Sequence, residues 1–341
     1  MIKQGEKPVV AITAGDPAGI GPETVVKAVT ATQVRQVCRP LIFGDLPVLE
    51  RAAAFVGLQL TFREFTSPAD VADEGPVSIV DLKSGGENAP LGQVSDAGGK
   101  AAFVAVQRAI DFCLADNAVA MVTAPVNKES LKAAAVPYLD HTAMLKALTN
   151  SSIALTMFAT GALRTFFMTR HLPFREIAWH ITKANIVAYT CECDRQMRRL
   201  GLQRPRLAVA ALNPHGGEHG LFGDEEIKEI GPAVQELRDV LGLDVYGPIP
   251  ADSVYHLAKE GRYDAVISLY HDQGHIAAKT LDFYRTVSLT LGLPFLRTSV
   301  DHGTAFDIAG TGKANEISMV EAILAAAMYG PAWRQSNSVV P

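Results

Sequence analysis

The chain has 341 residues, 48% of them hydrophobic and 20% charged, with a net charge of −5. That is enough material for two domains and a sizeable core without staples. Basic residues never cluster beyond two or three, which argues against nucleic acid as a main partner, and no apolar run is long enough to span a bilayer.

Read in chain order, Lys7 to Thr13 is a short apolar strand that runs into Ala14-Gly15-Asp16-Pro17-Ala18-Gly19-Ile20-Gly21-Pro22-Glu23. Pro22 marks a helix start. Strands are predicted over Arg39 to Phe43 and Val77 to Val80, a helix over Ala97 to Leu114, and a buried strand over Ala118 to Val122 that ends in Thr123-Ala124-Pro125-Val126-Asn127-Lys128. A strand pair around Gly161 covers Ile153 to Phe158 and Thr165 to Met168, ending at Thr169-Arg170-His171. Pro173 to Met197 is mostly helical. Leu207 to Ala211 is a strand leading to Asn213-Pro214-His215. Glu225 to Leu241 is a helix, and Val245 to Pro248 a further strand. Ala265 to Leu269 is a buried strand that runs into Tyr270-His271-Asp272-Gln273-Gly274-His275, with Lys279 one helical turn later. A second apolar run carries Arg297 and ends in Asp301-His302-Gly303-Thr304. Arg334 to Pro341 is expected to be a loose tail. Alternation of strands and helices predicts an α/β class with a mostly parallel sheet.

In such sheets ligands bind beyond the carboxyl ends of strands, and the chemistry-bearing residues collect there. His171, His215 and His271 each follow an apolar strand closely, so they can converge on one edge. Three neutral imidazoles suit a divalent ion with positions left open for substrate oxygens. His180, His219 and His256 lack that context and are taken as structural. Asp140-His141-Thr142 offers either an anion cradle at a helix start or a plain N-cap. The glycine-rich loop from Asn213 to Gly223 is not a Walker A loop, and the spacing in Gly15 to Gly21 is not a Rossmann fingerprint, so a nucleotide, if bound, is not held in the usual Rossmann manner. The four scattered cysteines, Cys38, Cys113, Cys191 and Cys193, read as reduced thiols of a cytoplasmic protein. Met1 to Glu6 has no signal-peptide character.

The segments AGDPAGIGPE, TAPVNK, NPHGGE, YHDQGH and LGLPFLRTSVDHGTAFDIAGTGKA together resemble the 4-hydroxythreonine-4-phosphate dehydrogenase family of vitamin B6 synthesis, over nearly the whole chain. His302 to Asn315 also resembles the dinucleotide loop of isopropylmalate and isocitrate dehydrogenases. The resemblance implies a two-domain α/β/α fold of that kind. Residues 1–125 with 280–341 would form the nucleotide-side domain, residues 126–279 the metal, substrate and dimerisation domain, and the active site would occupy the cleft between.

It further implies an oxidoreductase that uses NAD or NADP to oxidise the secondary alcohol of a phosphorylated hydroxy acid, with decarboxylation of the keto acid to follow. One divalent ion, zinc first and magnesium or cobalt as alternatives, would sit on His171, His215 and His271. Catalytic roles fall to Lys279, Asp272 and His271, and substrate contacts to His141, Thr142, Lys279, Ser288 and Arg297. Cofactor contacts fall to His302, Gly303, Thr304, Asp307 and Asn315. The implied partners are a small anionic substrate and a second copy of the chain, with the active site at the subunit interface.

Four positions depart from the family's usual pattern: Asp140 and Ala143 around the His-Thr pair, Ser288 in place of asparagine, and His275 in place of an apolar residue. His275-Ile276, with the Gly220 to Glu225 run, looks more like a second branch, which resembles D-threonate- and D-erythronate-4-phosphate dehydrogenases. A further branch oxidises a non-phosphorylated cis-dihydrodiol carboxylate from aromatic breakdown. It shares HDQGHI and the serine but lacks the His-Thr pair.

Overall fold

The structure, a computed structural model, describes residues 6–67, 71–138 and 140–337. The chain forms two compact units: Met1–Ala154 with Val287–Pro341, and Leu155–Thr286. Residues 126–154 therefore belong to the first unit and 280–286 to the second, unlike the boundaries expected from the sequence. The strands in chain order are β1 (Val9–Thr13), β2 (Arg39–Gly44), β3 (Phe62–Glu64), β4 (Val77–Asp81) and β5 (Ala120–Thr123) in the first unit. β6 (Leu155–Thr160), β7 (Leu163–Phe167), β8 (Leu207–Ala210), β9 (Val245–Ile249) and β10 (Ala265–Ser268) form the second, and β11 (Val287–Leu291) and β12 (Leu296–Ser299) return to the first.

In the first unit the strand order is β3-β4-β2-β1-β5-β12-β11. Every pairing is parallel except that of β11 with β12. In the second unit the order is β6-β7-β10-β8-β9, with only β6 and β7 antiparallel. The α/β, mostly parallel class predicted from the sequence is what the structure has. The central strands are continuous apolar runs because helices cover both faces of such sheets. β1 (VVAIT), β5 (AMVT), β8 (LAVA) and β10 (AVIS) are buried at every residue.

The helix Asp96–Leu114 begins where Ser95 Oγ accepts the Gly98 N–H at 3.1 Å. Gly99 lies so close to the Ser130 carbonyl that a Cβ there would overlap it. This approach packs the helix on Lys128–Ala133, whose own cap is Asn127 Oδ1 accepting from Ser130 N at 2.9 Å. The stretch predicted as one helix from Glu225 to Leu241 is instead a π turn, Glu226–Ile230, followed by the helix Gly231–Asp239. Pro232 supplies the reason: it has no N–H, and its ring crowds the preceding turn, which widens. Nor is Arg334 in a loose tail. It lies in the closing helix Ile317–Asn337, with Trp333 fully buried beside it, and pairs with Asp116. Residues 338–341 lie outside the described residues.

Candidate active site

In the first unit, the ends of β5 and β12, the start of β11 and the helix His141–Leu148 surround a cavity of about 210 Å³. Four of the expected substrate residues, His141, Thr142, Ser288 and Arg297, line it together, with Asp140, Asp301 and His302. Arg297 is 5% exposed. Its Nε and Nη2 donate to Thr123 Oγ1 at 3.0 and 2.5 Å, and its Nη1 to Thr290 Oγ1 at 3.1 Å. Burial pushes its pKa down to about 10, against the pull of the Asp140 and Asp301 carboxylates, so it stays a cation at neutral pH.

Burial first, and the Arg297 charge second, hold the His141 pKa well below the usual imidazole value, so the ring is neutral. Its Nε2 is shielded from solvent and has no hydrogen-bond partner among the described residues. A buried polar atom of that kind needs a partner. Asp140 resolves in favour of capping: its Oδ1 accepts the Ala143 N–H at 2.9 Å at the start of the helix. Sequence reasoning did not find Thr123 or Thr290 as partners of Arg297. Threonine hydroxyls buried on strands carry no motif, and only the register of β5, β12 and β11 brings them to Arg297.

In the second unit, β7, β10 and β8 lie side by side in parallel, so His171, His215 and His271 all follow carboxyl ends at one edge. The sequence around His271 is explained residue by residue. Gln273 Oε1 accepts the Leu269 N–H at 2.7 Å and its Nε2 donates to Ala211 O at 2.8 Å, which ties the ends of β10 and β8 together. Gly274 packs where a Cβ would lie 2.6 Å from Thr165 Cγ2 and 2.7 Å from Phe167 Cε1. Only glycine lets the helix His271–Leu281 approach β7 so closely. Asp272 Oδ1 lies 2.6 Å from His271 Nδ1, which fixes the tautomer and leaves Nε2 as the donor atom.

His171 and His271 border one cavity of about 320 Å³ with Arg170, Leu172, Tyr270 and Asp272. Their ring centroids are 6.1 Å apart. His215 does not line it; it opens a run of five left-handed residues, 215–219, on a loop fixed by Glu226 Oε1, which accepts from Leu212 N and Asn213 N at 2.8 Å each. Among the described residues no three His, Cys, Asp or Glu side chains stand close enough together to hold one ion. The donor type and the shared strand edge fit a divalent metal, and the geometry assembles two of the three imidazoles. Lys279 does not line this cavity; it lies two turns, about 12 Å of helix rise, beyond His271, with Nζ 5.3 Å over the Phe283 ring.

The matching family is described as pyridoxal phosphate biosynthetic protein PdxA, and its profile covers residues 36–326. The chain belongs to this family. A relative from Symbiobacterium thermophilum, provisionally named a D-threonate 4-phosphate dehydrogenase, is 49% identical over 333 residues, which cover 97% of this chain and 99% of the relative. The crystal structure of 4-hydroxythreonine-4-phosphate dehydrogenase from Klebsiella pneumoniae superimposes with a TM-score of 0.86 at 38% identity, covering 95% of this chain and 100% of that one. A terephthalate 1,2-cis-dihydrodiol dehydrogenase from Burkholderia xenovorans is further away, at a TM-score of 0.65 and 28% identity, covering 95% and 98%. The protein is thus a 4-hydroxythreonine-4-phosphate dehydrogenase-like enzyme, and a dehydrogenase of this family implies a nicotinamide cofactor.

The residues expected to meet that cofactor lie in and beside one braced segment of the first unit. Thr304 O accepts the Ile20 N–H at 2.9 Å. The 2% exposed Glu23 accepts the Gly310 and Gly312 N–H groups at 2.6 and 2.8 Å, and Lys27 Nζ donates to Gly312 O and Ala314 O at 3.0 and 2.7 Å. The loop from Gly15 to Glu23, which carries no Rossmann fingerprint, therefore braces residues 304–314. Gly303, Asp307 and Asn315 are exposed, Thr304 is buried, and His302 borders the Arg297 cavity. A Cβ on Gly303 would meet no atom of the described residues within 4 Å, while Asn315 Oδ1 accepts the Ile317 N–H at 2.8 Å.

Proposed function

We propose that the enzyme is a metal-dependent, NAD(P)-linked dehydrogenase of a four-carbon aldonate 4-phosphate such as D-threonate 4-phosphate, or of 4-hydroxythreonine 4-phosphate. The observation that carries this reading is the first-unit cavity, where a buried guanidinium, a neutral imidazole with an unsatisfied Nε2 and two hydroxyl side chains converge. Arg297 supplies the fixed positive charge for the substrate's anionic end, and His141, Thr142 and Ser288 complete its hydrogen bonds.

His171, His215 and His271 would hold the ion, with zinc the first choice for imidazole donors. When bound, such an ion supplies Lewis-acid polarisation of the substrate hydroxyl. Asp272 keeps the His271 Nδ1 proton in place. Lys279, which borders neither of the two cavities, keeps its catalytic assignment on the family resemblance, and the alcohol proton passes to solvent. The braced segment after His302 would hold the nicotinamide dinucleotide, which would supply the hydride acceptor. Oxidation at C3 leaves a ketone β to the carboxylate, and loss of CO2 then yields a three-carbon phosphorylated hydroxyketone from the aldonate, or the corresponding aminoketone from 4-hydroxythreonine 4-phosphate.

Exposed apolar side chains in the second unit, Ile276, Leu281, Phe283 and Tyr284, support a homodimer. No helix among the described residues is long and apolar enough to cross a membrane. The four cysteines, all free, suit a cytoplasmic setting. The cis-dihydrodiol reading is weaker, because His141 and Thr142 are present and share the Arg297 cavity. The test is to incubate the purified enzyme with zinc, NAD or NADP and D-threonate 4-phosphate, following reduced nicotinamide and the ketone together. Reduction of cofactor with a matching amount of phosphorylated ketone is expected; no reduction with either phosphorylated substrate would overturn the reading.

A further inference from the structure

His275 stands four residues after His271 on the helix His271–Leu281, so the two side chains share one face. Their rings are stacked, with centroids 3.6 Å apart and planes 12° from parallel. His275 Nδ1 is 2.9 Å from His271 O. On its other sides the His275 ring meets Phe167 at 4.1 Å and, edge on, Phe158 at 4.4 Å between centroids. Both phenylalanines are 2% exposed and pack with Ala278 in a small core of their own. A rigid column therefore runs from that core through His275 to His271, whose Nδ1 is held independently by Asp272.

We propose that His275 is a positioning residue for His271: its ring, wedged against Phe158 and Phe167, fixes the His271 imidazole plane so that Nε2 is aimed for a metal ion. Two supports of different kind act on His271. Asp272 sets which nitrogen carries the proton, and the stack sets where the ring lies. Without the stack, a half-exposed histidine at the first position of a helix has several side-chain rotamers open to it. Ordering it would then oppose metal binding, and supports beyond the direct ligands commonly change metal affinity by about ten- to a hundredfold.

The inference rests on the reading of His271 as a metal-binding residue, and the test separates the two. Zinc dissociation constants are measured on the full-length protein by competition with a chromogenic chelator, without substrate or cofactor, for wild type, His275→Ala, His275→Phe and His271→Ala. Thermal unfolding of the metal-free proteins is recorded alongside. His275→Ala is expected to weaken zinc binding about ten- to a hundredfold. His275→Phe keeps a ring in the stack and is expected to stay within about threefold of wild type. If His275→Ala binds zinc as wild type does while His271→Ala does not, the positioning role is wrong and the metal reading stands. A His275→Phe as weak as His275→Ala, with both folded, also refutes the role of the ring. If His271→Ala itself binds zinc like wild type, the metal reading fails.

Discussion

Replacing Arg297 by lysine keeps the positive charge in the cavity but removes the fork that carries it. A guanidinium has five N–H donors; three are committed to Thr123 and Thr290, which leaves one on each Nη for a ligand. Two parallel donors match one phosphate or carboxylate edge. A lysine offers a point charge and cannot keep both threonines and the ligand at the same distances. A hydrogen bond to a charged group is worth about 1.5–3 kcal/mol. Losing one such bond in the enzyme–substrate complex should lower kcat/KM about ten- to a hundredfold, and Arg297→Met, which removes the charge too, should cost about a thousandfold. The assay is initial-rate formation of reduced nicotinamide with substrate varied at saturating cofactor, on variants whose thermal unfolding shows them folded. A folded Arg297→Lys enzyme with kcat/KM within about threefold of wild type would refute the assignment of this cavity to the substrate's anionic end.

Asp140→Ala should lower stability by about 1 kcal/mol through loss of the bond to Ala143 N, a fall of about 2–4 °C in Tm, whereas Asp140→Ser keeps a cap and should show neither change. Because its carboxylate is engaged at the helix start, neither variant should change kcat/KM for a phosphorylated substrate by more than about threefold. His141 has a folded-state pKa well below the ordinary 6.5, so its contribution to stability is complete above that value and is lost as pH falls below it. The slope of unfolding free energy from this group should approach about 1.4 kcal/mol per pH unit. Denaturant titrations between about pH 7 and pH 5 should show a shallower fall for His141→Gln than for wild type. Gly303→Val should raise the cofactor KM at least about tenfold while leaving Tm unchanged, since a Cβ there meets no atom of the described residues within 4 Å. Gly312→Ala should lower stability by about 1–2 kcal/mol, because Gly312 has a φ of 72° and backs onto Phe55 O.

The strands were legible because a buried parallel strand is a short unbroken apolar run, as in AVIS before the Tyr270-His271-Asp272 turn. The histidines at strand ends were legible for the same reason: the edge of such a sheet is where polar side chains are exposed to ligand. Weakly patterned elements left less trace. The edge strand Phe62–Glu64 is three residues long. The closing helix Ile317–Asn337 contains Pro331 and is apolar nearly all round its early turns, so its end reads as a tail. The role of the Gly15 to Glu23 loop could not be found from its own residues, because its partners lie nearly three hundred positions away, at Gly310 and Gly312. A separation of 174 positions hid Thr123, whose hydroxyl meets Arg297 only through the pairing of β5 with β12.

The central claim is that the Arg297 and His141 cavity selects a phosphorylated four-carbon acid, and the most direct measurement compares one substrate with its own dephosphorylated form. Initial rates with D-threonate 4-phosphate and with D-threonate, under identical zinc and cofactor, give the ratio of their kcat/KM values. Two or more charge-assisted bonds to phosphate predict a ratio of at least about a hundred in favour of the phosphorylated acid. Equal rates for the two, or faster oxidation of a non-phosphorylated cis-dihydrodiol carboxylate, would contradict the account.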